Sequence, residues 1–173
     1  MKELEGFSIL LRDLKEIEQK WTYHLDEHFF AHFEQSMIGA SSIEVTATIV
    51  RLSNNLQVIV DHKGSVRTPC DRCAEMIDLP IEGSRSLMVK LVETVLEEDA
   101  DILYLSSREE RLDVGPIIYE MVSLSLPMVR RYECDVDENA PCSKDVLEYL
   151  EPDRAPNTMD DTIWQDLKKL KLK

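Results

Sequence analysis

Apolar and polar positions alternate along much of the first half of the chain. Trp21, Tyr23 and Leu25 alternate with Thr22, His24 and Asp26. That period of two predicts a half-buried strand. The segment before it, Gly6 to Asp13, predicts a short strand or extended piece, and His28 to Met37 predicts one or two helical turns. The clearest β signal runs from Ser41 to Arg67. Ile43, Val45, Ala47 and Ile49 face one way, with Glu44, Thr46 and Thr48 opposite, and the return segment carries Leu56, Val58 and Val60 on one face. Ser53-Asn54-Asn55 supplies turn chemistry, because Asn tolerates left-handed backbone angles. Lys63-Gly64 reads as a second turn, which makes the segment a three-strand meander. Residues 76–96 predict one or two further strands, although Met88 to Val95 also fits a helical pattern.

The second half changes character. Glu93 to Asp113 is dense in acids and reads as a loop around a short apolar piece, Ile102 to Leu105. A helix is predicted next, with Asp113 as N-cap and Pro116 in the first turn, where a missing N–H costs nothing. Val114, Ile117, Ile118, Met121 and Val122 fit the spacing of one buried helical stripe, and Pro127 ends it. From Glu133 to Asp153 the chain is acidic again, with Lys144 its only base. Ser143 is placed to start a short helix through Leu150. Pro152 and Pro156 mark a linker. Residues 161–171 predict a last amphipathic helix, with Ile163, Trp164, Leu167 and Leu170 as its stripe and lysines at its end. The expectation is α+β: an antiparallel sheet, flat or curled toward a barrel, packed against one main helix. Residues 1–151 form a single domain in this reading, and 152–173 form a linker and helical tail.

Length supports this organisation, since 173 residues with 43% hydrophobic content suffice for one ordinary core. Charge bears on partners. The chain has 34 acids against 20 bases, a formal net charge of -14 at pH 7. Phosphate-binding surfaces show clustered Lys and Arg, so net charge alone favours a basic protein partner over nucleic acid. No run of ~18 apolar residues is present to span a membrane. Met1 to Gln19 mixes charges into its apolar positions, unlike a signal peptide. A cytoplasmic, reducing location is therefore expected, where four cysteines suit free, metal-bound or redox-active roles better than structural disulfides.

Cys70-Asp71-Arg72-Cys73 is the sharpest local motif. Two thiolates at this spacing on a tight turn can grip one tetrahedral zinc ion from two sides. Cys134 and Cys142 are the remaining sulfurs. Their wider spacing and acidic insert suit a zinc knuckle poorly, so two readings stay open. In one, Cys70, Cys73, Cys134 and Cys142 meet around zinc; in the other, the first pair merely pins a turn. A thioredoxin-like redox role needs the motif at a helix start after a strand; here it lies between two strand-like segments. His28 and His32 share a helical face, but Phe29 stands where a zinc protease needs Glu. Asp135, Asp137 and Asn139 begin like a calcium loop, yet Ala140 and Val146 break it. Glycine-rich phosphate loops and nucleophile elbows are lacking. The chain reads as non-catalytic, with no small-molecule substrate. Arg67 and Arg72 flank the cysteine turn, and Arg130 and Arg131 follow the main helix. Should the turn fold back toward that pair, the four arginines form one candidate surface for nucleic acid or a partner.

The order of these pieces resembles the YceD family, the large-subunit ribosomal RNA accumulation proteins. The carriers are VRTPCDRC ending at Cys73, the helical LDVGPIIYEMVSLSLPMV from Leu112 to Val129, the cysteine-bearing segment after it, and TIWQDLKKLK near the end. The chain departs from the family in its second cysteine group, which lacks the compact glycine-containing run. The resemblance implies a non-catalytic role in large-subunit (23S) ribosomal RNA accumulation, with zinc as the suspected metal. Ribosomal RNA or large-subunit assembly proteins would be the partners. An acidic protein-interaction module without RNA contact is the alternative.

Overall fold

The computed structural model describes residues 6–14, 17–53, 55–93, 102–133, 137 and 140–150. Its main feature is a five-stranded sheet in the order β2-β3-β4-β5-β6. The strands are β2 Glu18–Leu25, β3 Ser41–Leu52, β4 Asn55–Pro69, β5 Met76–Val92 and β6 Ile102–Ser106. β2 through β5 pair antiparallel, while β5 and β6 are parallel. The sheet is therefore mixed rather than wholly antiparallel, and it stays open, with β2 and β6 as its edges. A small ribbon pairs β1 Ser8–Leu10 with β7 Arg111–Asp113. Three α-helices, α1 Glu27–Phe30, α2 Gly115–Ser123 and α3 Lys144–Leu150, and a short 3-10 helix at Leu11–Asp13 complete the described chain.

The alternating pattern sets the faces. Leu25, Ile43, Val45, Ala47, Ile49, Val58 and Val60 are all buried on one side of the sheet. Register aligns them in rows: Tyr23 faces Val45, which faces His62, and Trp21 faces Ala47, which faces Val60. α2 covers this face with Ile117, Ile118, Met121 and Val122, the stripe expected from their spacing. Asp113 does serve the helix start, one residue upstream of the formal cap: its Oδ1 accepts the Gly115 N–H at 3.0 Å. α1 begins at Asp26, whose carboxylate accepts the N–H groups of His28 and Phe29. It seats an aromatic cluster beside α2. Phe33 stacks on Tyr119 with centroids 3.8 Å apart, and Phe7 stacks on Tyr23 at 4.6 Å. Such pairs add to the burial of their rings.

Several sequence expectations are corrected. Lys63-Gly64 is not a turn; both sit inside β4, which runs unbroken for 15 residues. Gly64 is there because β3 comes close: a Cβ at this position would lie 2.6 Å from the Ile43 Cα. A glycine inside a strand marks close backbone approach as often as a bend. Met88 to Val92 is strand, not helix, and belongs to a β5 of 17 residues. Ile102 to Ser106 and Arg111 to Asp113 are strands rather than parts of an acidic loop. The turn at Ser53 is present, and Ser53 itself takes the positive φ of 42°. The linker and terminal helix expected beyond Pro152 lie outside the described residues.

Candidate binding site at the cysteine turn

β3 stops pairing with β4 at Val66, but β4 and β5 continue together to Pro69 and Met76. The two long strands thus form a hairpin that projects past the rest of the sheet, and its loop is the cysteine turn. The Cys70 N–H donates to the Glu75 carbonyl at 2.8 Å, and the Ala74 N–H donates to the Cys70 carbonyl at 2.9 Å. Ala74 adopts a φ of 60°, a left-handed conformation that glycine takes at less cost.

A second, smaller core forms around this loop. Cys70, Cys73, Ile77, Leu79 and Cys142 are buried together, with Tyr132, Ala140 and Leu147 of α3 packed on them. Cys70 and Cys73 are free thiols. Burial pushes the Cys70 thiol up, but hydrogen bonds to its sulfur outweigh that. Backbone N–H groups of Tyr132, Arg72 and Cys73 and the Cys73 side chain together hold it below the ordinary value. The Arg72 N–H reaches the sulfur at 3.5 Å. Donors aimed at a sulfur favour its thiolate.

The suspected zinc can be tested against this geometry. The first half fits: two thiols on one tight turn, with backbone donors stabilising negative charge on Cys70, suit two positions of a tetrahedral thiolate site. The second half fits only in part. Cys142 lies in the same cluster, but it is disulfide-bonded, contrary to the expectation of reduced cysteines, and a disulfide sulfur is not a thiolate ligand. Cys134 lies outside the described residues. Among the described residues, no group of three or more His, Cys, Asp or Glu is arranged to hold a metal ion.

The arginines behave differently from one another. The chain after α2 does fold back onto the cysteine turn, and Arg130 makes the junction. Its N–H donates to Asp71 Oδ2 at 2.7 Å and its carbonyl accepts the Asp71 N–H at 2.8 Å. Its guanidinium reaches Asp71 Oδ1 at 3.4 Å and Thr68 Oγ1 at 3.3 Å. Arg130 is thus a clamp between two segments. Arg72 is half-buried in the turn, and Arg131 is exposed beside the clamp. Arg67 lies on the other strand face, opposite Asp78 in the ladder. The sequence reading missed Asp71 as the partner that binds the clamp; the only available signal was its place inside the CxxC motif.

The comparisons with known proteins bear on the identity of this arrangement. A family model described as "Large ribosomal RNA subunit accumulation protein YceD" matches residues 58–171. The chain belongs to the YceD family. The match begins within β4 and takes in the cysteine turn, α2 and the clamp. It ties this YceD-family chain to a ribosome-related role. No curated protein and no solved structure matches. Among the described residues, no helix is long and apolar enough to cross a membrane.

Proposed function

We propose that this protein is a non-catalytic accessory factor that supports accumulation of large-subunit ribosomal RNA by binding RNA or an RNA-associated protein. The family match over residues 58–171 carries the reading. Support also comes from the site's construction: its hydrogen bonds fix segments in place. The direct test is removal of the gene from its own host. The ratio of large- to small-subunit ribosomal RNA should fall and should recover when the intact chain is restored. An unchanged ratio in the deletion strain would end the proposal.

A second reading, an acidic protein-interaction module without RNA contact, is favoured by two observations. The net charge is -14, and the arginines near the turn stand beside acids, Arg130 on Asp71 and Arg67 opposite Asp78. Phosphate contacts make binding fall steeply with salt. A mobility shift with purified ribosomal RNA that weakens steeply as salt rises supports direct RNA contact. Absence of any shift at low salt leaves the protein-binding reading.

Zinc belongs to this proposal as a structural ion. Cys70 and Cys73 would supply two thiolates, and Cys134 together with Cys142, the latter once reduced, would supply the others. The ion would cross-link the hairpin tip to the segment after α2. Protein purified under reducing conditions without chelator should hold close to one equivalent of zinc. Less than about a tenth of an equivalent would remove the ion from the account.

A further inference from the structure

Between α2 and the clamp lies a short loop that is apolar where it meets solvent. Met128 is 99% exposed, Val129 67% and Leu124 57%. Isolated surface hydrophobics need no explanation, but Leu124, Met128 and Val129 are exposed on one short loop. We propose that Leu124 to Arg131 is a docking knob for a protein partner, one that offers an apolar pocket for Met128 and Val129 and a carboxylate for Arg131. The inference deepens the binding role above by choosing protein over RNA.

Construction of the loop is the first argument. Both ends are tied down. At the helix end the Ser125 hydroxyl donates to the Val122 carbonyl at 2.6 Å, and the Leu126 N–H donates to Ser123 at 3.3 Å. At the other end the Arg130 backbone exchanges two hydrogen bonds with Asp71, at 2.7 and 2.8 Å. Pro127 fixes its own φ between them. Exposed apolar side chains on a backbone held at both ends lose little freedom on docking, which is how preorganisation raises affinity.

Chemistry is the second argument. The knob tip is aliphatic: Leu124, Pro127, Met128 and Val129. A single-stranded base needs an aromatic or guanidinium platform to stack on. The knob offers no aromatic ring, and because Arg130 is committed to Asp71 and Thr68, Arg131 is its single exposed guanidinium. Methionine suits a protein pocket, because its flexible, polarisable chain adapts to the shape it meets. Arg131 is exposed beside Val129 and gives the knob a positive rim, so the complementary pocket is acid-edged. A second copy docking by the same loop would bring two Arg131 guanidinium groups into one small interface with no added carboxylate from the loop, which disfavours symmetric self-association.

The test uses the full chain in its own cells, with a photo-crosslinking amino acid at Met128 and, as control, at Thr22 on the opposite sheet face. Irradiation should give a nuclease-resistant, protease-sensitive adduct at 128 and not at 22. Its protein should be identified by mass spectrometry and bind the purified chain. Val129→Asp, an exposed change, should cost at least about tenfold in that binding. Arg131→Glu should cost several-fold and steepen with falling salt. A nuclease-sensitive adduct would overturn the proposal in favour of RNA. An adduct of twice the chain mass would overturn it in favour of a second copy, and no adduct above the Thr22 control would overturn it outright. Failure here is separable from failure of the ribosomal reading. If deletion lowers large-subunit RNA and Val129→Asp restores it fully, only the knob is lost.

Discussion

His62 offers the sharpest thermodynamic test of the fold. It sits on the core face of β4, in the row between Val45 of β3 and Gly83 of β5. It is 4% exposed, and neither ring nitrogen has a hydrogen-bond partner. A Cβ on Gly83 would lie 2.9 Å from the His62 Cε1 and 3.8 Å from the Ser125 Cβ. Glycine at 83 therefore makes room for the ring beneath the end of α2. Burial holds the imidazole below its ordinary pKa; Arg85 pushes the same way and Asp61 opposes it. The folded state thus favours the neutral ring, and the unfolded chain takes up the proton first as pH falls. Stability should be intact above about pH 6.5, the unfolded value. It should decline from there down to the lower folded-state value. One differential proton sets a limiting slope of about 1.4 kcal/mol per pH unit.

Urea unfolding between about pH 7.5 and 5, above most carboxylate titration, isolates this slope. His62→Leu should flatten it. At neutral pH that variant should be neutral or more stable, because it removes two buried polar atoms that lack partners. His24, His28 and His32 are exposed and remain in the variant as an internal control. Wild-type stability that is level across the window would refute the reasoning, as would a slope that survives in His62→Leu.

Gly64→Ala should cost about 2 kcal/mol or more by overpacking, since the new methyl meets β3 backbone rather than a movable side chain; a thermal melt within a degree of wild type would contradict the close approach. Asp71→Ala should cost about 2 kcal/mol, mostly through the bond from the Arg130 N–H. Arg130→Ala should cost less, because its guanidinium–carboxylate pair is about a third exposed on each side and solvent screens it. Equal losses in the two variants would mean that the side-chain pair, not the backbone bond, holds the clamp. Ala74→Gly should raise stability by about 1 kcal/mol by relieving the left-handed φ of 60°, and a destabilised variant would show that the methyl packs usefully.

Much of the sheet was legible because its buried face alternates cleanly from Trp21 to Val60, and one buried face fixes register. α2 was legible for the same reason at helical period. Gly64 misled because a glycine after lysine signals a turn locally, whereas the need for it arises from Ile43 on another strand. Ile102 to Ser106 was hidden among acids: all five residues are only half-buried, and the strand's parallel partner, β5, is remote from any hairpin signal. At the site, the cysteine turn was legible from its CxxC spacing, while its convergence with Arg130 stood in the sequence only as a condition. The Asp71 bonds that carry the convergence were not legible, because an acid inside CxxC has no pattern that names its partner 59 residues away.

The cysteine turn and the apolar knob share their supports, and this makes them one mechanical unit. Cys70 Sγ receives the Tyr132 N–H, while its neighbour Asp71 holds Arg130, two residues earlier in the same segment. Negative charge on the sulfur strengthens the first bond, because donors to an ionised acceptor bind roughly twice as strongly. The cysteine turn therefore holds residues 130–132 from two neighbouring positions, Asp71 on Arg130 and Cys70 on Tyr132. The hairpin tip buries its two cysteines in a small apolar cluster of their own, and the loop it pins carries the most exposed apolar side chain among the described residues, Met128.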